Sequence, residues 1–345
     1  MNLVFYCISS FFSFYGAFYE SFHDLFWQPF SVVVPGTASV VVPGTASVVV
    51  PGTASVIVSE AVSLSVSWFR NVLLIPKLQI FKRIAKFFLF FGIMTEAAYQ
   101  CLIAGWIIFG LIVFIVLQFI SAPYGRHTRK GWGPQIPNRL GWVIMELPSL
   151  LVFGSFFLFS GGRPEPVTWI FFAVWVAHYT NRSLVYPFRT RTTGKKMPLL
   201  IALFAIFFNV VNGSLNGLWF ARFSDGYSWD WLYDVRFILG AIVLVAGVAI
   251  NLRADRYLLR LRNHSPNGYK IPRGRLFRYV SCPNFTGEIL EWTGFAIMTW
   301  SPAALAFALW TFFNLVPRAM AHHQWYKTTF PEYPGERKAV IPFLL

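Results

Sequence analysis

Polar and ionisable side chains recur at helical spacing inside otherwise apolar stretches of this sequence, and that pattern marks where chemistry could reside. In "HYTNRSLVY", Tyr179, Arg182 and Tyr186 fall at i, i+3 and i+7. Asn251, Asp255 and Arg262 share a stripe in "NLRADRYLLRLR", as do Asn284, Glu288 and Glu291 in "PNFTGEILEW". Arg318, His322 and Tyr326 stand four apart in "PRAMAHHQWY", and Asn209, Asn212 and Asn216 make a fifth set. Residues at these offsets stack on one helix face. Glu146 is the lone carboxylate of the apolar run "GWVIMELPSLLVF". An ionisable group at the centre of a membrane helix costs roughly 2.5–3.5 kcal/mol on insertion scales, so each is a functional candidate by default.

Each set also has a plainer reading. Tyr and Arg near span ends serve as interface anchors, Asn stripes as interhelical hydrogen bonding, and His322 with His323 as surface residues. Glu288 and Glu291 need partners, which the nearby basic loops could supply. Taken together the stripes imply a polar cavity opening to the cytosol and ringed by Arg and Lys. Such a cavity suits a polyanionic ligand such as a phosphorylated nucleotide. No GxGxxG follows a strand, so a Rossmann dinucleotide site is unsupported. Cys7, Cys101 and Cys282 lie far apart, with neither CxxC nor zinc-like His spacing. They read as isolated structural thiols, and no metal site is expected.

The elements that must hold these groups are apolar helices. The chain of 345 residues is 56% hydrophobic and only 12% charged, about half the charge of a soluble domain. Residues 101–120 form twenty consecutive uncharged positions, enough to cross a hydrocarbon core of ~30 Å. Comparable runs lie near 141–160, 168–186, 198–221, 235–252, 285–300 and 303–317. The last two are short and meet at Ser301-Pro302, where a re-entrant hairpin could form. The expected fold is all-α, a polytopic membrane bundle of about seven transmembrane helices.

The net charge of +15 first suggests nucleic acid, but its distribution argues for a membrane. Segments 121–140 and 187–197 each carry four Lys or Arg and no acid, and 252–283 carries eight against one Asp. Segments 161–167 and 222–236 are neutral or slightly acidic. This alternation follows the positive-inside rule. It puts the first, third and fifth connections and the C-terminal tail in the cytosol. Residues 1–95 stand apart as an N-terminal extension in which "SVVVPGTA" occurs three times from Ser31. Its eight-residue period is too short for a helical repeat unit, although residues 68–91 could lie amphipathically on a membrane surface. No chemistry is assigned there.

From residue 96 onward the text resembles the steroid 5α-reductase family. The shared stretches include "YGRHT", "MELPS", "HYTNRSLVYPF", "NGSLNG", "DVRFILG", "GVAINLRADRYLLRLR", "GYKIPRGRLFRYVSCPNFTGEILEWTGFAIMTWS", "RAMAHHQWY" and "RKAVIPFLL". The resemblance implies a seven-helix integral membrane enzyme, in the endoplasmic reticulum or a bacterial inner membrane. It implies reduction by NADPH of a carbon–carbon double bond conjugated to a ketone, in a steroid or sterol-like lipid. By position, Glu146 and Tyr179 correspond to the pair that holds the substrate ketone. Tyr186, Lys195, Asn251, Asp255, Arg262, Tyr269, Lys270, Asn284, Glu288, His322 and Tyr326 correspond to the cofactor shell. Lys stands at 195 and 270 where family members carry Arg, keeping the charge without the bidentate fork. Met145 precedes the Glu where vertebrate members tend to have Gln, a departure that bears on substrate choice.

The resemblance also gives Glu146 a physical role. Hydride addition to an enone places negative charge on the ketone oxygen, and donors aimed there favour the transition state. Tyr179 offers an O–H, and a Glu146 kept protonated by desolvation offers a second, the device of ketosteroid isomerase. Membrane lipids and the substrate are the expected partners, with no nucleic acid, and the chain is expected to act as a monomer. The rival readings are a reductase of another lipid double bond (polyprenol or 2-enoyl-CoA), a membrane methyltransferase, and a sterol receptor or transporter.

Overall fold

Each apolar run becomes a helix in the computed structural model, which describes residues 93–129, 131–159, 165–190, 194–263 and 269–345. The repeats and the amphipathic stretch read in residues 1–92 lie outside these. Residues 96–345 form one compact unit. Its helices are α1 (Glu96–Phe119), α2 (Asn138–Phe159), α3 (Thr168–Thr180), α4 (Tyr186–Arg189), α5 (Leu199–Leu218), α6 (Val235–Asn263), α7 (Pro283–Thr299) and α8 (Pro302–Thr329). Five stretches are long and apolar enough to cross a membrane by themselves: α1, α2, Leu199–Phe223, Val235–Arg262 and α8. The others are α7 and the α3–α4 rod, which is joined by a π-helical turn at Asn181–Val185. The protein is a polytopic helical membrane protein.

At Ser301-Pro302, where a hairpin of two short helices is expected, α7 is short at 17 residues but α8 is not. α8 runs for 28 residues, well beyond residue 317, where the apolar run ends. Its second half carries Arg318, His322, His323 and Lys327, and α8 is the most buried of the five long spans. A helix sheltered by its neighbours tolerates polar groups that hydropathy counts against it. Between α7 and α8 the chain turns at Trp300, with φ of 49°, and the Ser301 hydroxyl accepts from the Ala304 N–H at 3.3 Å.

Helix contacts are made close by small residues. Gly240 and Gly247 of α6 face Gly287 and Gly294 of α7, and a Cβ at any of the four would overlap the other helix's backbone. Small residues at seven-residue spacing let two membrane helices approach to backbone contact. This contact brings the Asn251–Asp255 turn against the Asn284–Glu288 turn. Gly217 does the same for α5 against Phe153 and Phe156 of α2. An aromatic core of Phe153, Phe171, Trp175, Trp292, Phe295 and Phe307 fills the centre.

The connections sort to two ends. β1 (Gln135–Pro137) pairs antiparallel with β2 (Lys196–Pro198), joining the first connection to the third. Val280 bridges to Lys338, and the Cys282 N–H donates to the Ala339 carbonyl at 3.0 Å, joining the fifth connection to the tail. At the other end Gly226 packs beside Glu165, Tyr227 donates to the Thr299 carbonyl at 2.7 Å, and Trp231 Nε1 donates to the Met298 carbonyl at 3.0 Å. The basic and the neutral connections thus gather separately, as their alternation in sequence requires. Of the expected isolated thiols, Cys282 is free and buried.

Candidate active site

α2 carries Glu146 two residues before Pro148. A proline inside a helix removes one backbone hydrogen bond and loosens the preceding turn. Asn209 of α5 uses that turn: its Nδ2 donates to the Met145 carbonyl and reaches Glu146 Oε2 at 3.4 Å. The interhelical alternative for the Asn stripe therefore holds at Asn209. Asn212 and Asn216 instead bond to one another within α5.

Tyr179 is 3% exposed, packed on Trp175 at a centroid distance of 5.1 Å and near Trp292 at 6.0 Å. Arg182 follows in the π-helical turn, the kind of helix irregularity often found at functional sites. Its guanidinium lies 3.8 Å from Glu288 Oε2 and over the rings of Trp142 and Tyr186, at 5.2 and 5.3 Å. His178 Nδ1 meets Glu291 Oε1 at 2.7 Å. The partners of Glu288 and Glu291 are thus Arg182 and His178 of the neighbouring rod, correcting the expectation that basic loops supply them. One-dimensional spacing shows which face a carboxylate occupies, not which helix that face meets.

Beside this cluster lies a cavity of about 510 Å³. Eight of the expected shell residues line it: Tyr186, Lys195, Asp255, Arg262, Tyr269, Asn284, His322 and Tyr326. Three do not. Asn251 is buried behind the wall, its Nδ2 donating to the Asn284 carbonyl at 3.0 Å and reaching Glu288 Oε2 at 3.4 Å. Glu288 faces Arg182, and Lys270 is exposed next to Tyr269. The lining holds six cationic side chains, Arg126, Arg182, Lys195, Lys196, Arg262 and Arg318, against the one carboxylate of Asp255.

Arg126 was not marked by spacing, because it sits in a connection with no helical period. Its guanidinium lies over Tyr269, Trp325 and Tyr326 at 4.9, 4.5 and 4.9 Å, and its buried Nη1 has no hydrogen-bond partner. A buried unpaired donor carries the full desolvation cost of the group, so this atom fits a site built for an anion. Lys195 and Arg262 also approach the Tyr269 ring, at 5.9 and 5.7 Å. Three cations from three different segments converge on one aromatic ring. Arg318 sits over Tyr124 at 3.6 Å. His322 Nδ1 meets His127 Nε2 at 2.9 Å, and His323 Nδ1 meets the Ser281 hydroxyl at 2.6 Å, so neither is a free surface histidine. Burial, with Arg126 and Arg129 beside it, holds His127 below the usual imidazole range. Burial pushes the Cys282 thiol up to about 12, which makes it an inert wall residue. Among the described residues no His, Cys, Asp or Glu cluster could hold a metal ion.

A family model described as 3-oxo-5-alpha-steroid 4-dehydrogenase matches residues 195–345. The chain is 43% identical over 254 residues to a protein of Gossypium hirsutum named steroid 5-alpha-reductase DET2, covering 71% of this chain and 96% of that protein. It is 40% identical to the 3-oxo-5-alpha-steroid 4-dehydrogenase 1 of Bos taurus, over 68% of this chain and 93% of the relative. The Homo sapiens protein of the same name is 41% identical, with 68% and 91% covered.

Proposed function

Because the chain belongs to the 3-oxo-5-alpha-steroid 4-dehydrogenase family, we propose that it reduces the carbon–carbon double bond of a 3-oxo-Δ4 steroid to the 5α-reduced product, using NADPH. It is an oxidoreductase of steroids, with residues 96–345 as the catalytic domain and residues 1–95 as an extension. The observation that carries the reading is the placing of half-buried Glu146 and buried Tyr179 on the packed helices α2 and α3, with a cationic cavity beside them. Arg182 follows Tyr179 by three residues, pairs with Glu288 and lines the cavity.

When bound, NADPH supplies a hydride to the β-carbon of the enone. The chain's own part is electrostatic. Tyr179 and a protonated Glu146 donate to the ketone oxygen as negative charge develops there, in a site walled by Trp175 and Trp292. Asn209 fixes one carboxyl oxygen of Glu146 as an acceptor, leaving the other to carry the proton. Arg182 is ion-paired with Glu288 at 3.8 Å. In the cavity, Arg126, Lys195 and Arg262 around Tyr269 would hold phosphate. An extra phosphate beyond the diphosphate is what separates NADPH from NADH, and an excess of cations over Asp255 supports that preference. The basic end faces the cytosol in this reading, the membrane is that of the endoplasmic reticulum, and the chain acts as a monomer.

The experiment is product analysis. Membranes containing the full chain are supplied with a 3-oxo-Δ4 steroid and either NADPH or NADH. The 5α-reduced steroid should form with NADPH and much more slowly with NADH. An unreduced steroid would overturn the function, and equal rates with both cofactors would overturn the phosphate assignment.

A further inference from the structure

A second hollow, of about 660 Å³, lies on the other side of the β1–β2 wall and opens outward. Its cationic lining is Arg139, Lys195 and Lys196, and no carboxylate takes part among the described residues. Its apolar lining is Leu140, Val143 and Phe188, with Leu140 50% and Phe188 60% exposed. The Arg139 guanidinium lies 5.3 Å from the centroid of the Phe188 ring, at the rim where the two kinds of surface meet. The hollow is formed by the first turns of α2 and the end of α4, so it sits where membrane helices emerge at the basic end of the bundle.

We propose that this groove binds one anionic glycerophospholipid. The phosphate rests between Arg139 and Lys196, and an acyl chain runs along Leu140, Val143 and Phe188. Charge and shape both select that occupant. A soluble anion would satisfy the cations but leave two exposed apolar side chains uncovered on a membrane helix. A zwitterionic lipid would cover them but bring no net charge to a lining that has no acid. Lysines and arginines of this kind gain about fivefold each in affinity for an anionic leaflet. Lys195 and Lys196 line both hollows, so the lipid and the cationic cavity share one wall.

The test is lipid retention, which does not depend on catalysis or on the function proposed above. The full chain is reconstituted in equal phosphatidylglycerol and phosphatidylcholine, extracted in mild detergent, and its retained lipids are counted by mass spectrometry. Wild type should retain phosphatidylglycerol in clear excess. Arg139→Gln should cut that preference about fivefold and Arg139→Glu roughly twenty-fivefold, while Arg222→Glu at the opposite end should leave it unchanged. Phe188→Ala should weaken retention without changing headgroup preference, and it serves if the charge variants fold poorly. Equal retention of the two lipids, an unaltered preference in a folded Arg139→Glu, or displacement by millimolar inorganic phosphate would each overturn the proposal.

Discussion

Replacing Glu146 separates a donor from a charge. Glu146→Ala deletes one of two groups aimed at the ketone oxygen, and loss of one such donor costs ~2.7–4 kcal/mol, a hundredfold to a thousandfold in turnover. Little else should add to that figure. Asn209 Nδ2 already donates to the Met145 carbonyl and reaches Glu146 only at 3.4 Å, so it is not orphaned by the change. Glu146→Gln keeps a neutral donor of nearly the same length. Its carbonyl oxygen can accept from Asn209 and its amide can face the substrate, so the loss should be that of a weakened neutral hydrogen bond, about 1 kcal/mol or fivefold to tenfold. The assay is turnover at saturating steroid and NADPH in detergent-solubilised full chain, with expression and folding checked for each variant. Gln as inactive as Ala would mean that Glu146 acts through its charge. Wild-type turnover in Ala would remove it from the mechanism altogether.

Tyr179→Phe should lower turnover by a similar hundredfold while leaving thermal stability nearly unchanged, since the ring still packs on Trp175; unchanged turnover in a folded protein would sink its role. Arg126→Ala and Arg262→Ala should each raise the Michaelis constant for NADPH, by about tenfold to a hundredfold for a lost charge-assisted contact, with steroid binding little affected. Lys270→Ala should do less than either, because Lys270 is exposed and outside the cavity lining. Gly247→Leu should drive α6 from α7 and abolish accumulation of folded protein, whereas Gly154→Ala, with open space at its Cβ, should be tolerated; similar stability in both would refute the close-contact argument. Deleting residues 1–95 should leave NADPH-dependent steroid reduction in membranes, and its loss from a well-expressed truncation would give the extension a role.

The features legible in the sequence are those with a period or a sign. Hydropathy over about twenty residues marks a span regardless of its neighbours, and basic connections alternate with neutral ones, so the helices and the gathering of Lys and Arg at one end could be read directly. The stripes were legible for the same reason: a face of Asn251 and Asp255 keeps its spacing whatever it meets. What it meets is a property of two helices. Glu291 finds His178, and Glu288 finds Arg182, because glycines seven apart let α6 and α7 touch and place both beside the α3–α4 rod. The π-helical turn then shifts Arg182 relative to an ideal helix, so that it stands over Tyr186 while pairing with Glu288. Arg126 lies in a connection, where no period operates, and only the aromatic rings of α8 and Tyr269 reveal its purpose. The second half of α8 shows the limit most directly. Its charges make it look like a tail, yet packing against the rings of Tyr124, Tyr269 and Phe285 makes it a wall of the cavity, because the polarity a helix tolerates depends on what surrounds it and not on its own composition.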